Sequence, residues 1–149
     1  MNFTQNEIIQ ANDIFNKLRG KLNLPNIELE LSPYRPILGE KGNFDKNGKI
    51  TVYAQKLTSY DDLIHTIRHE TRHFWQQIHF PEHVEWWRNN MQYYSDLEFH
   101  EMIYTYCTIE ADAEQFAKYN NTQLEGLLTR SVKWLEDKKG AFYRTYKRD

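Results

Sequence analysis

The sequence predicts a small α+β fold with an N-terminal helix, a three-stranded sheet and a run of later helices. Three observations predict it. Apolar residues recur at helical spacing from Ile8 to Leu22. Residues 27–55 change to period-two alternation broken by Pro and Gly, and helical spacing returns from Ser59 onward. A chain of 149 residues, 40% hydrophobic and 27% charged, suits a single domain over residues 1–149 with one core.

The first helix begins at a capping box, Thr4 with Glu7, flanked by Phe3 and Ile8 at the staple positions. Ile8, Ala11, Phe15, Leu18 and Leu22 make its apolar stripe. Gly20 and Pro25 place its end near residues 20–24. Its expected role is to cover the sheet. In the first strand Ile27, Leu29 and Leu31 alternate with Glu28, Glu30 and Ser32, and Pro33 and Pro36 break it. Ile37 to Phe44 reads as a second strand weakened by Gly39 and Gly42. Those glycines mark a bulge or turn, or else let another backbone approach, such as a substrate chain pairing along the edge. Asn47-Gly48 reads as a two-residue hairpin turn into a third strand carrying Ile50, Val52 and Ala54.

Ser59 with Asp62 opens the next helix, which should run to about Ile78, before Phe80-Pro81. Ile64, Ile67, Thr71, Phe74 and Ile78 fall on one side. His65, His69, Arg72, His73 and Gln76 fall on the other, facing water or a cleft. Residues 81–94 hold Trp86, Trp87, Tyr93 and Tyr94, a candidate wall or lid whose rings also suit core packing. Ser95 with Glu98 opens a long helix to about Tyr119. Thr122 starts a C-terminal helix ending near Gly140, and the aromatic, basic tail 141–149 is either frayed or folded back over the cleft.

Composition excludes some functions and sets defaults for others. A formal charge of −2 makes no electrostatic case for nucleic acid or an anionic membrane. No basic leader precedes an apolar run, and no apolar stretch approaches the roughly 20 residues of a membrane span. The single cysteine, Cys107, permits no intrachain disulfide and no cysteine metal cluster, so a reducing, cytoplasmic setting is expected.

The chemistry concentrates in His69-Glu70-Thr71-Arg72-His73. Two histidines four apart on a helix stand about 40° apart around its axis, so both imidazoles reach one metal ion. Glu70 is turned about 100° from His69, away from that row, and can lean over a water at the same metal. This HExxH spacing supplies two ligands, one general base and an open coordination position. The plainer reading is a polar helix face whose histidines and arginines are solvated.

An open catalytic zinc site takes a third protein ligand. Glu110 is the chosen candidate. Ala113 and Ala117 border it and let two helices approach, and Glu114, one turn on, can accept the free ring N–H of a ligating histidine. Asp112 is turned about 200° from Glu110 and is expected to point outward. His65 continues the histidine row but lies about 12 Å from His73, too far to share one ion. Cys107 lies near the Glu110 face and suits the core better.

His69-Glu-x-x-His73 followed by Glu110-x-x-Ala113-x-x-Phe116-Ala117 resembles the gluzincin metallopeptidases, most of all the small ImmA/IrrE-type, SprT-like and minigluzincin domains. The resemblance covers residues 1–119. It implies a zincin-like domain in which the HExxH helix packs on a glutamate-bearing helix. It implies one Zn2+ held by His69, His73 and Glu110, with Glu70 as general base. Glu114 stands where that family often has an acidic residue, commonly Asp. Nothing after residue 119 resembles the DNA-binding parts of SprT-like proteins. The expected activity is hydrolysis of a protein or peptide substrate. The alternative is a zinc-binding regulatory or interaction protein of the same fold with little turnover. Tyr93, Tyr94, His100, Tyr104 and Tyr106 are candidates for electrophilic assistance.

Overall fold

The computed structural model describes residues 2–36, 39–45, 47–81, 84–85 and 109–119. Their architecture is α+β, with three helices and a three-stranded mixed sheet. Helix α1 spans Gln5–Lys21, strand β1 Glu28–Ser32, β2 Gly42–Asp45, β3 Lys49–Tyr53, α2 Tyr60–His79 and α3 Ile109–Tyr119. A single 3-10 turn, Ala54–Lys56, leads from β3 toward α2.

The two predicted helix starts that fall among the described residues, Thr4 and Ser59, are present. The Thr4 hydroxyl accepts from the Glu7 amide at 3.1 Å, and the Glu7 carboxylate accepts from the Thr4 amide at 2.9 Å. These bonds satisfy amides that the first turn otherwise leaves open. Ser59 caps α2 by accepting from the Asp62 amide at 3.0 Å. Ala11, Phe15, Leu18 and Leu22 bury the face of α1. That face packs chiefly against α2, and Ala11 and Phe15 share one core with Ile27, Ile50, Val52, Leu63, Ile67 and Phe74.

The sheet order is β1-β3-β2, with β1 parallel and β2 antiparallel to β3. Ile50 and Val52 of β3 are fully buried, as expected of a central strand. Three boundaries differ from expectation, the simplest being Ala54, expected in the third strand, which instead opens the 3-10 turn. The second strand begins at Gly42, because Gly39 adopts φ 76° and the backbone turns there. The hairpin pairs Asp45 with Lys49, so three residues separate them, and Gly48 takes the left-handed position at φ 96°. A three-residue loop with a left-handed glycine before the return strand suits the twist of the pair as well as a two-residue turn does.

Helix α2 is the axis of the structure. It is buried on both sides from Leu63 to Gln76, against α1 and the sheet on one side and α3 on the other. Ile78, expected in the apolar stripe, is 45% exposed because it lies a turn beyond Phe74, past the core. Pro81 continues in helical conformation, and the Val84 amide donates to the Phe80 carbonyl at 3.2 Å. The four tryptophan and tyrosine candidates of segment 81–94, Cys107, the Ser95 cap, the helix from Thr122, the tail 141–149 and all five candidate electrophiles lie outside the described residues. Among the described residues no helix is long and apolar enough to cross a membrane.

Candidate metal centre

Helix α2 presents His69 and His73 one turn apart, and α3 lays Glu110 across them. His69 Nε2 and His73 Nε2 stand 3.0 Å apart. Glu110 Oε2 lies 3.1 Å from His69 Nε2, and Oε1 lies 3.2 Å from His73 Nε2. Ala113 and Ala117, both buried, let α3 come this close. These three residues form a group that can hold a metal ion.

The spacing fits a small tetrahedral cation. Donors about 2.0–2.1 Å from such an ion lie about 3.3–3.4 Å from each other. Two bare ring nitrogens do not rest 3.0 Å apart without a proton or a cation to share. Burial pushes the His69 ring toward neutrality, but the Glu110 and Glu114 carboxylates beside it override this and raise the pKa to about 10. His73 is raised as well: burial opposes its charge, and the adjacent Glu110 carboxylate outweighs it. Burial would raise Glu110, yet the facing histidines hold it well below the usual carboxylate range. The cluster thus sets a carboxylate between two ring nitrogens, and a cation bound there would displace protons from them.

Each histidine is gripped at its far nitrogen. Glu114 Oε1 lies 2.6 Å from His69 Nδ1, off the line of an ideal hydrogen bond, so the contact is an ion pair that needs a small turn of the carboxylate to align. The other Glu114 oxygen is 3.1 Å from His65 Nε2. His65 therefore belongs to the surroundings of Glu114 and stands outside the three-residue metal group, as its distance along the helix requires. His73 Nδ1 is 2.8 Å from Gln76 Oε1, and Phe44 stacks on the His73 ring at 5.3 Å.

Asp112 corrects an expectation. It does not point outward; it is fully buried. Its carboxylate accepts from Arg72 Nε at 2.7 Å and Arg72 Nη2 at 3.2 Å, and from Gln76 Nε2 at 2.7 Å. The angle between Asp112 and Glu110 is as the helix dictates. What the angle misses is the width of the interface: Ile109, Ala113, Phe116 and Ala117 bury one broad face, and Glu110 and Asp112 sit on its opposite shoulders. Arg72 is itself fully buried, with its guanidinium 3.7 Å from the Trp75 ring centroid and 5.1 Å from that of Phe116. Gln76 was legible only as a polar residue one turn after His73.

The metal group lines a cleft of about 780 Å³, whose other walls include Lys41, Gly42, Asn43 and Phe44 of the β2 region and Val84. Glu70 lines it too. Its carboxyl is buried, and that burial raises its pKa despite the nearby histidines. Gly42 allows this packing. A Cβ there would lie 3.0 Å from the Thr51 carbonyl oxygen, 3.0 Å from Thr66 Cγ2 and 3.1 Å from Glu70 Cγ. The close approach that this glycine permits is that of α2 within the same chain.

No family model, no curated protein and no solved structure matches this chain.

Proposed function

We propose that the chain is a zinc-dependent metallopeptidase of the gluzincin type. The observation that carries this reading is the buried Glu70 carboxyl in the same cleft as the His69, His73 and Glu110 group. Two nitrogens and one carboxylate leave the fourth position of a tetrahedral site open, which is the donor set of a catalytic rather than a structural zinc. When bound, zinc would lower the pKa of a water toward about 7 and polarise a carbonyl.

The remaining work falls to this chain's own side chains. Glu70 takes a proton from the attacking water as its oxygen bonds to the scissile carbonyl carbon, then gives that proton to the amine nitrogen as the C–N bond breaks. Its place in the cleft beside the metal group is where a base would have to accept that proton and return it. Among the described residues β2 is an edge strand of the sheet, and an extended peptide can hydrogen-bond along such an edge while its side chains enter the cleft.

Glu70→Gln tests the role of the base. The variant is expected to keep its fold and its zinc, while cleavage of a broad peptide library falls by at least 100-fold. Cleavage at the wild-type rate would end this mechanism. Stoichiometric zinc with no cleavage by the wild type would transfer the site to the alternative, a zinc-binding regulatory module.

A further inference from the structure

The two histidines are held by different devices, and the one behind His73 reaches through the protein to a buried charge pair. Gln76 is fully buried. Its amide nitrogen donates to the Ile109 carbonyl at 2.8 Å and to the Asp112 carboxylate at 2.7 Å. Neither partner can donate, so both amide hydrogens are committed and the orientation of the amide is decided. Reversing it would set an oxygen against two acceptors in a buried site, where unpaired polar groups are most costly. The amide oxygen therefore faces His73 Nδ1, 2.8 Å away, and can only accept. Asp112 is committed in turn by its two bonds from Arg72.

We infer that Gln76, fixed by Asp112, Arg72 and the Ile109 carbonyl, is a positioning residue that keeps His73 Nδ1 a hydrogen-bond donor and turns Nε2 toward the metal position. The inference rests on the metal reading for its consequence, not for its geometry. The relay orders α3 as well as α2, because the Ile109 carbonyl and Asp112 both belong to α3, one residue before and two after Glu110. One buried network thus sets the aim of a ligand on each helix. Partners behind a ligating histidine change metal affinity by about 10–100-fold in general, and His73 should lie in that range because its partner has no freedom to reorient.

The test uses the full chain, with zinc as the probe. Two readouts are taken. One is the zinc dissociation constant by chelator competition. The other is the His73 Nδ1–H signal in nitrogen-resolved NMR spectra, recorded with and without zinc. Gln76→Met keeps length and burial but removes the acceptor, and is expected to lose the protected Nδ1–H and to weaken zinc binding by about 10–100-fold. Gln76→Glu keeps the acceptor toward Nδ1 and, held protonated with its O–H donated to Asp112, gives up only the bond to the Ile109 carbonyl, so it is expected to retain the signal and to lose less affinity than Gln76→Met. A purely structural role would lower both variants' affinity alike, and that result overturns the inference. So does a wild-type chain without a protected Nδ1–H, a readout that stands even if Gln76→Met fails to fold. A wild-type chain that shows the signal but binds no zinc upholds the relay and removes the metallopeptidase reading instead.

Discussion

The two faces of α2 are both buried, yet they are built on opposite principles. Toward α1 and the sheet the helix offers Ile64, Ile67 and Phe74, which join one apolar cluster. Toward α3 it offers His69, Arg72, His73 and Gln76, which meet Glu110, Asp112 and the Ile109 carbonyl through named bonds. The first face is held by area removed from water, which is non-directional and tolerant of shape. The second is held by geometry: each group is stable in the interior only while its partner is in place. A group that could hold a cation at fixed distances belongs on the second kind of face, and the first kind anchors the helix that carries it.

This contrast predicts different responses to truncation. Asp112→Ala leaves the Arg72 guanidinium buried without its carboxylate, and should destabilise the chain by about 3–5 kcal/mol. Ile67→Ala on the apolar face should cost about 2–5 kcal/mol through lost burial and a cavity. The magnitudes overlap, but rescue separates them. Replacing the pair together, Arg72→Met with Asp112→Leu, should recover part of the loss, since two apolar residues leave no charge unpaired and only one Gln76 N–H without its acceptor. Urea unfolding of the metal-free variants measures all three. A double variant no more stable than Asp112→Ala would show that the two faces do not differ in this way.

Gly42→Ala probes the third neighbour of α2, the β2 wall. The added methyl would stand 3.0 Å from both the Thr51 oxygen and Thr66 Cγ2, contacts that strand and helix must open to admit. Overpacking of this kind costs about 1–3 kcal/mol. The third contact is Glu70 Cγ at 3.1 Å, so the displacement reaches the proposed base directly, and the metal group only through Phe44 stacked on His73. Peptidase activity should fall several-fold with zinc affinity held within about twofold. A stability loss below about 0.5 kcal/mol would mean that β2 shifts freely and does not set the position of Glu70.

Legibility in the sequence followed the same division. The apolar face was plain, because a period of 3.6 is written directly in residue spacing, and the Thr4–Glu7 capping box and the Ser59 cap were plain because they are local. His69 and His73 were readable for the same reason: their geometry is set within one turn. Glu110 required only that two helices pack through Ala113 and Ala117. Asp112 was misread because its burial depends on how wide a face α3 presents and on Arg72, distant in sequence, being buried too. The pairing of β1 with β3 across β2 was likewise not written in any local pattern. Gly42 was noticed as a glycine, but its partner proved to be α2, and no spacing rule names a tertiary neighbour.

The smallest effect tests whether burial, rather than polarity, makes the α3 face so demanding. Asp62 is also a carboxylate on α2 with a cationic partner: Lys41 Nζ donates to its two oxygens at 3.0 and 3.1 Å, and the Thr58 amide donates to Oδ2 at 3.0 Å. Lys41, however, is half exposed, so water can replace either partner. Asp62→Asn should therefore cost only about 1 kcal/mol or less, several times below Asp112→Ala. Its pH dependence has a definite sign. Partial burial opposes ionisation of Asp62, but the Lys41 and Thr58 bonds outweigh it and lower the folded pKa. Such a group stabilises the fold above its unfolded value of about 3.9, and that contribution disappears as pH falls through the lowered folded value. The wild-type advantage over Asp62→Asn should be present at about pH 6 and shrink on acidification below about pH 4. Urea midpoints of the two proteins across that range decide the matter. A loss near that of Asp112→Ala, or an advantage that grows toward acid, would show that charge alone governs both contacts and that burial does not separate them.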